Sequence, residues 1–120
     1  MEAGHVLSSR LGRITISSGA IAHIVGETAL ECYGVVGTVA KGPLKGPARR
    51  LLGRERTQGI EIARDGDAVA IDLHVVVEYG LNLAEVASTI RNRVSYEVER
   101  LTGLPVRAIE VHIEDVRRSS

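Results

Sequence analysis

The sequence predicts an α+β fold, a two-layer sandwich in which two long helices cover one face of a mainly antiparallel sheet. Two segments carry apolar residues at helical spacing, and the strand-like segments around them alternate apolar with polar residues. Strands that alternate in this way form a sheet with one apolar face, which two amphipathic helices can bury together. The expected order of elements is β-α-β-β-β-α-β.

The first half of the chain supplies a strand, a helix and a second strand. Residues 13–16 alternate and form the first predicted strand, after residues 1–11, which we expect to be a mobile tail. One of the two serines at 17–18 is placed to cap the helix that follows. Gly34 ends this helix, and the β-branched segment 35–39 is the second predicted strand. The apolar stripe of the helix is Ile21, Ile24, Val25, Thr28, Ala29 and Cys32.

A basic segment, residues 41–58, separates the second and third strands. Two Gly-Pro pairs indicate a loop, with room for a short helix. Within 41–56 the single acidic residue is Glu55, so the local charge is +5 while the rest of the chain carries −5. This density predicts a surface for an acidic partner, an anionic membrane or a phosphate backbone; an ordinary solvated loop is the alternative. The basic residues are Lys41, Lys45, Arg49, Arg50, Arg54 and Arg56.

The second half begins with a hairpin. Ile60 and Ile62 share one face of the third strand, and the Asp-Gly-Asp turn at 65–67 leads into the fourth strand, residues 69–77. Odd-numbered residues of the fourth strand are apolar, which indicates that its opposite face is solvated. That opposite face carries Asp72, His74 and Glu78.

A second helix and a last strand complete the domain. Asn82, three residues before Glu85, predicts the start of the helix, and Gly103 with Pro105 predicts its end. Residues 109–113 then alternate as the fifth strand. The predicted inner stripe of the helix is Leu83, Val86, Ala87, Ile90, Val94, Val98 and Leu101, and the polar side of the last strand carries Glu110, His112 and Glu114.

The polar sheet face is the strongest candidate for chemistry. If the fourth and fifth strands pair, His74 or His112 and two of the nearby carboxylates could converge on a metal. Such faces are usually formed by cross-strand charge pairs, and the sequence has no tight ligand spacing such as His-Glu-x-x-His, so we expect no metal. No serine lies in a nucleophile elbow and no phosphate-binding glycine motif occurs, so we expect no catalytic residues, cofactor or small-molecule substrate.

Composition also bears on nucleic acids and on location. The chain has three tyrosines but no Phe or Trp, a poor stacking platform for bases, which argues against nucleic acid as a partner. The GVVG at 34–37 matches the KH-domain loop in letters, but its valines begin a strand. Cys32 is the single cysteine, and the N-terminus lacks a signal peptide pattern. No apolar stretch is long enough for direct membrane insertion, so we expect a cytoplasmic protein.

Several motifs in this order resemble the alkaline-shock, envelope-stress-response protein family of bacteria. They cover residues 12–116, and one departure is Glu110, where the family pattern has Asn. The motifs are GRITIS at 12–17, YGVVG at 33–37, GIEI at 59–62, VVVEYG at 75–80, NLAEV at 82–86, LTG at 101–103 and VHI at 111–113.

The resemblance implies a single domain over residues 12–116, with 117–120 as a C-terminal tail. It implies a non-enzymatic scaffold or interaction protein of cell-envelope homeostasis, able to form homo-oligomers and to reach the membrane through an integral-membrane anchor protein. Self-association would use strand edges or the outer helix faces. An RNA-binding, KH-like module that uses the basic segment is the alternative function.

Overall fold

The computed structural model describes residues 5–39 and 59–118, which form two sheets and two helices. From β2 onward the elements follow the predicted order, and the α+β sandwich is confirmed. The strands are β1 (His5–Ser9), β2 (Gly12–Ile16), β3 (Val35–Thr38), β4 (Ile60–Asp65), β5 (Ala68–Glu78) and β6 (Val106–Arg117), and the helices are α1 (Ser18–Glu31) and α2 (Leu83–Thr102).

Both helices begin at the side chains that the sequence indicates. The Ser17 hydroxyl accepts a 3.0 Å hydrogen bond from the backbone N–H of Ala20, and the side-chain Oδ1 of Asn82 accepts one from the backbone N–H of Glu85 at the same distance. These bonds satisfy N–H groups that have no partner inside the helix. Gly103 ends α2 at φ 79°, in the left-handed conformation that glycine adopts without strain. The predicted ends of α2 are therefore confirmed.

β5 is the centre of the larger sheet. β6 runs parallel to β5 along one of its edges. Along the other edge β4 lies beside residues 68–73 and β3 beside residues 75–77, and both run antiparallel to β5. Val39 and Gly59 both bond to the backbone of one residue of β5, because the Val39 N–H donates to the His74 carbonyl at 3.0 Å and the His74 N–H donates to the Gly59 carbonyl at 2.9 Å. β3 and β4 thus act as one edge strand, interrupted opposite His74.

The core lies between the two helices and the inner face of this sheet. It is aliphatic, and α1, α2 and β5 each contribute fully buried side chains, as the one-sided alternation predicts. Leu83 and Leu101, at the two ends of the predicted α2 stripe, are instead exposed, because they lie in the first and last turns of the helix. Arg93 of α2 and Glu31 of α1 form an ion pair at 3.2 Å on the outside of the helix pair. The core includes Ile21, Val25, Ala29, Ile60, Ile71, Leu73, Val75, Val77, Ile90, Val94 and Val98.

The N-terminal segment differs from the expected tail. Within residues 1–11, His5–Ser9 form β1, which pairs antiparallel with β2 so that Leu7 lies opposite Ile14. Leu7 also packs against the core, which fixes the hairpin to the domain. The segment's own pattern is too short to predict a strand, and β2 supplies the hydrogen-bonding partner. At the other end β6 includes Arg117, the first residue of the expected tail 117–120.

No helix in residues 5–39 or 59–118 is long and apolar enough to cross a bilayer.

Candidate functional site

The parallel pairing of β5 with β6 builds the polar face of the sheet. Its register places Asp72 beside Glu110 and His74 beside His112. Parallel neighbours need a crossover connection, and α2 supplies it by carrying the chain over the apolar face. The pairing on which the sequence argument depended is therefore present, and the four side chains lie together.

His74 is buried, contrary to the expectation of a solvated outward position. Its side chain is 2% exposed, and its Nδ1 lies 2.6 Å from Oε2 of Glu114. Its ring stacks on that of His112, with centroids 4.5 Å apart and planes 13° from parallel. Val76, two residues along the same face, is also buried. The polar face is thus solvated around Asp72 and Glu110 but closed around His74.

His112 joins this buried pair to the open part of the face. Its Nε2 lies 3.2 Å from Oδ1 of Asp72 and 3.6 Å from Oε1 of Glu110. One ligand atom from each of the three residues lies within 4.8 Å of the others. An imidazole nitrogen and two carboxylate oxygens at these distances can form a charge network when His112 is protonated, or can hold a cation.

A second candidate surface runs along the outer edge of β6. Within residues 5–39 and 59–118, β6 pairs with β5 alone, so no strand of these residues pairs with its other edge. Near the two ends of β6, the Val106 and Val116 N–H groups donate to the side chains of Glu99 and Asp115. An open groove of about 150 Å³ lies between this strand and α2, with Arg91 among its lining residues. The other lining residues are Ala84, Ala87, Ser88, Ile109 and Val111.

The binding surface predicted from charge lies outside the described residues. This applies to Lys41, Lys45, Arg49, Arg50, Arg54 and Arg56, and to the predicted loop and short helix in 41–58.

The resemblance of GVVG to a KH loop has a structural explanation. Gly34 adopts φ 91° after α1, and β3 begins at Val35. The motif is therefore a turn that leads into a strand and does not join two helices, as a KH loop would.

Two features of the site were missed from the sequence. The burial of His74 and the groove beside β6 both depend on which strands are neighbours. The one available signal was α2 itself, because a helix between two strands favours their parallel pairing.

Comparison with known proteins gives a consistent family match. Residues 6–118 match the alkaline-shock protein family, described as having a cell envelope-related function. YloU of Bacillus subtilis strain 168 is 32% identical over 112 residues, covering 92% of this chain and 93% of that protein. A stress response regulator gls24 homolog of Streptococcus pyogenes serotype M3 is 28% identical over 107 residues, covering 88% of this chain and 59% of that protein. RNA binding has no support among these matches.

Solved structures resemble the fold. A variant of the MamM CTD superposes with a TM-score of 0.51 at 16% identity, covering 81% of this chain and 95% of that one. A nickel form of another MamM CTD variant gives a TM-score of 0.50 at 14% identity, covering 81% and 96%. At such low identity the similarity concerns the fold alone.

Proposed function

Because the chain belongs to the alkaline-shock protein family, whose function is related to the cell envelope, we propose that it is a non-enzymatic scaffold of the envelope stress response. It acts through protein–protein contacts in the cytoplasm and reaches the membrane through an integral-membrane partner. The matches to stress response regulators support the stress-related role. The observation that carries the scaffold mechanism is the unpaired edge of β6 among the described residues.

The first partner of this edge is a second copy of the chain. β6 contains a self-complementary stretch, because antiparallel pairing about Val111 would place Glu110 of one copy opposite His112 of the other. The same pairing would place Ile109 opposite Ile113. A polar pair such as a carboxylate opposite an imidazole, and an aliphatic pair, each stabilise an antiparallel ladder by about 0.2–1 kcal/mol.

The surroundings of the edge also favour self-association. Val111 and Ile109 line the groove beside α2, so a second strand laid along β6 would also cover part of this groove. The formal net charge of the chain is zero, which leaves little long-range repulsion between copies. When β6 pairs with its own copy about a twofold axis, the edges of both copies are used, so the assembly stops at a dimer. A larger assembly would need a second surface.

Sedimentation velocity from micromolar to near-millimolar concentration, in the presence of EDTA, tests this proposal. We expect a concentration-dependent dimer. Glu110→Lys removes the carboxylate that faces His112 at two symmetric positions and should weaken the dimer about 2- to 30-fold. Glu27→Lys makes the same charge change on the exposed side of α1, away from the edge, and should leave the dimer unchanged.

A charge swap separates a specific edge contact from a general effect. The double variant Glu110→Lys with His112→Glu places opposite charges across the proposed ladder and should recover most of the affinity. A chain that stays monomeric throughout the concentration range would refute self-pairing at β6. Failure of the swap to restore association would place the interface elsewhere.

A further inference from the structure

We propose that the polar face binds a divalent transition-metal ion through Asp72, Glu110 and His112. Spacing along the chain led to the opposite expectation, because His112 and Asp72 are 40 residues apart. The parallel register of β5 and β6 brings these ligands together where chain spacing cannot. All three side chains belong to one copy, so the site does not depend on the edge pairing proposed above.

The distances between the donor atoms suit a shared cation. Metal bonds of about 2.0–2.2 Å to nitrogen and oxygen place neighbouring ligand atoms about 3.0–3.5 Å apart. Nε2 of His112 is 3.2 Å from the Asp72 oxygen and 3.6 Å from the Glu110 oxygen. The Asp72 and Glu110 oxygens lie within 4.8 Å of each other. The Glu110 side chain is 71% exposed, so a change of its rotamer can shorten this distance without moving the backbone.

The charges at this position are unbalanced without a cation. Two carboxylates face one ring nitrogen, which carries at most one proton and so satisfies one of them well. Within the described part of the chain, the ion pairs of Asp72 and Glu110 are with His112 and not with an arginine. A bound dication would neutralise both carboxylates, and it would take the lone pair of Nε2 in place of the proton.

The third ligand is held in place before any ion binds. The His112 ring stacks on His74, which is buried and bonded to Glu114, so the ring plane is fixed by a rigid neighbour. Such outer contacts orient metal-binding histidines. A mixed nitrogen and oxygen set favours Zn²⁺, Ni²⁺ and similar ions over Mg²⁺ and Ca²⁺, which prefer oxygen alone. Three protein ligands leave a position for water.

Calorimetric titration of Zn²⁺ into the metal-stripped full chain tests the proposal. We expect about one Zn²⁺ per chain, with no displacement by excess Mg²⁺. His112→Ala and Asp72→Asn should each weaken Zn²⁺ binding by at least about tenfold. Replacing a residue that only supports a metal ligand already weakens metal binding by about 10- to 100-fold, and a ligand itself should matter at least as much. His23→Ala is the matched control, because His23 is exposed on α1, and it should bind Zn²⁺ as the unsubstituted chain does.

Nitrogen-detected NMR of the histidine rings gives a second readout that does not rely on affinity. Zn²⁺ should shift the Nε2 resonance of His112 and leave that of His23 unchanged. If His112→Ala does not fold, Asp72→Asn and Glu110→Gln preserve side-chain shape and decide the question. The proposal is overturned by less than half an equivalent of bound Zn²⁺, by unchanged binding in the variants, or by an equal loss in His23→Ala.

Discussion

Replacing Gly59 by alanine should destabilise the domain far more than the same change at another glycine of positive φ. Gly59 adopts φ 87° where the chain returns to the sheet, and an added Cβ would overlap the Val39 carbonyl group and lie 3.1 Å from the His74 carbonyl oxygen. The Val39 group cannot withdraw easily, because its own N–H is bonded to His74.

The magnitude follows from two contributions. A left-handed conformation costs a residue with a Cβ about 1–2 kcal/mol. Moving Val39 and Gly59 apart would break their two backbone hydrogen bonds to His74, each contributing about 0.5–1.5 kcal/mol. Gly59→Ala should therefore lower the free energy of unfolding by about 2–5 kcal/mol.

Gly66→Ala provides the matched control. Gly66 has φ 66° in the turn between β4 and β5, and a Cβ there would meet no atom within 4 Å. Gly66→Ala should therefore lower the free energy of unfolding only by the cost of the left-handed conformation, about 1–2 kcal/mol. Both substitutions remove the same glycine entropy from the unfolded chain, so this contribution cancels in the comparison. Urea unfolding followed by circular dichroism measures both, and equal losses of stability would refute the steric argument.

Three further predictions concern the core, the thiol and the basic segment. Ile90→Ala, at a fully buried position of α2, should cost about 2–5 kcal/mol in urea unfolding, whereas Leu101→Ala, on the exposed side of the same helix, should cost under about 1 kcal/mol. Burial raises the pKa of the Cys32 thiol, and Arg93 opposes this only in part. The thiol therefore ionises at a lower pH in the unfolded chain than in the folded one, so the free energy of unfolding should fall as the pH rises above about 8.5. Cys32→Ala should remove this dependence on pH. Charge reversal to glutamate at three arginines of the basic segment should leave the melting temperature nearly unchanged while weakening partner association at low salt; equal binding by both forms would contradict this. The three are Arg49, Arg50 and Arg54.

Local signals predicted the elements well. The caps at Ser17 and Asn82, the stop at Gly103 and the alternation of β5 each depend on a few neighbouring residues, so the sequence displays them directly. The helices and the inner face of the sheet follow from these signals, because each apolar stripe needs a surface that covers it.

What the sequence did not show depends on which strands are neighbours. β1 forms because β2 is available to pair with it, and the short run around Leu7 gives no sign of this by itself. Likewise, alternation assigns His74 to the outward face but does not predict its burial, which results from the His112 ring and Glu114 on β6. The candidate site is therefore a product of strand register, a property of pairs of segments.

The interruption between β3 and β4 makes the sheet tolerant of change in chain length. Val39 and Gly59 are held by the same residue of β5, so the two ends of the intervening 19 residues are fixed whatever lies between them. The entropy of closing a chain between two fixed points grows only with the logarithm of its length, so doubling that length costs about 0.6 kcal/mol. A peptide tag or a small reporter domain could thus be inserted between Val39 and Gly59. The insertion would leave the register of β5 with β3 and β4 intact, and it would be attached at the middle of the sheet edge that these two strands form.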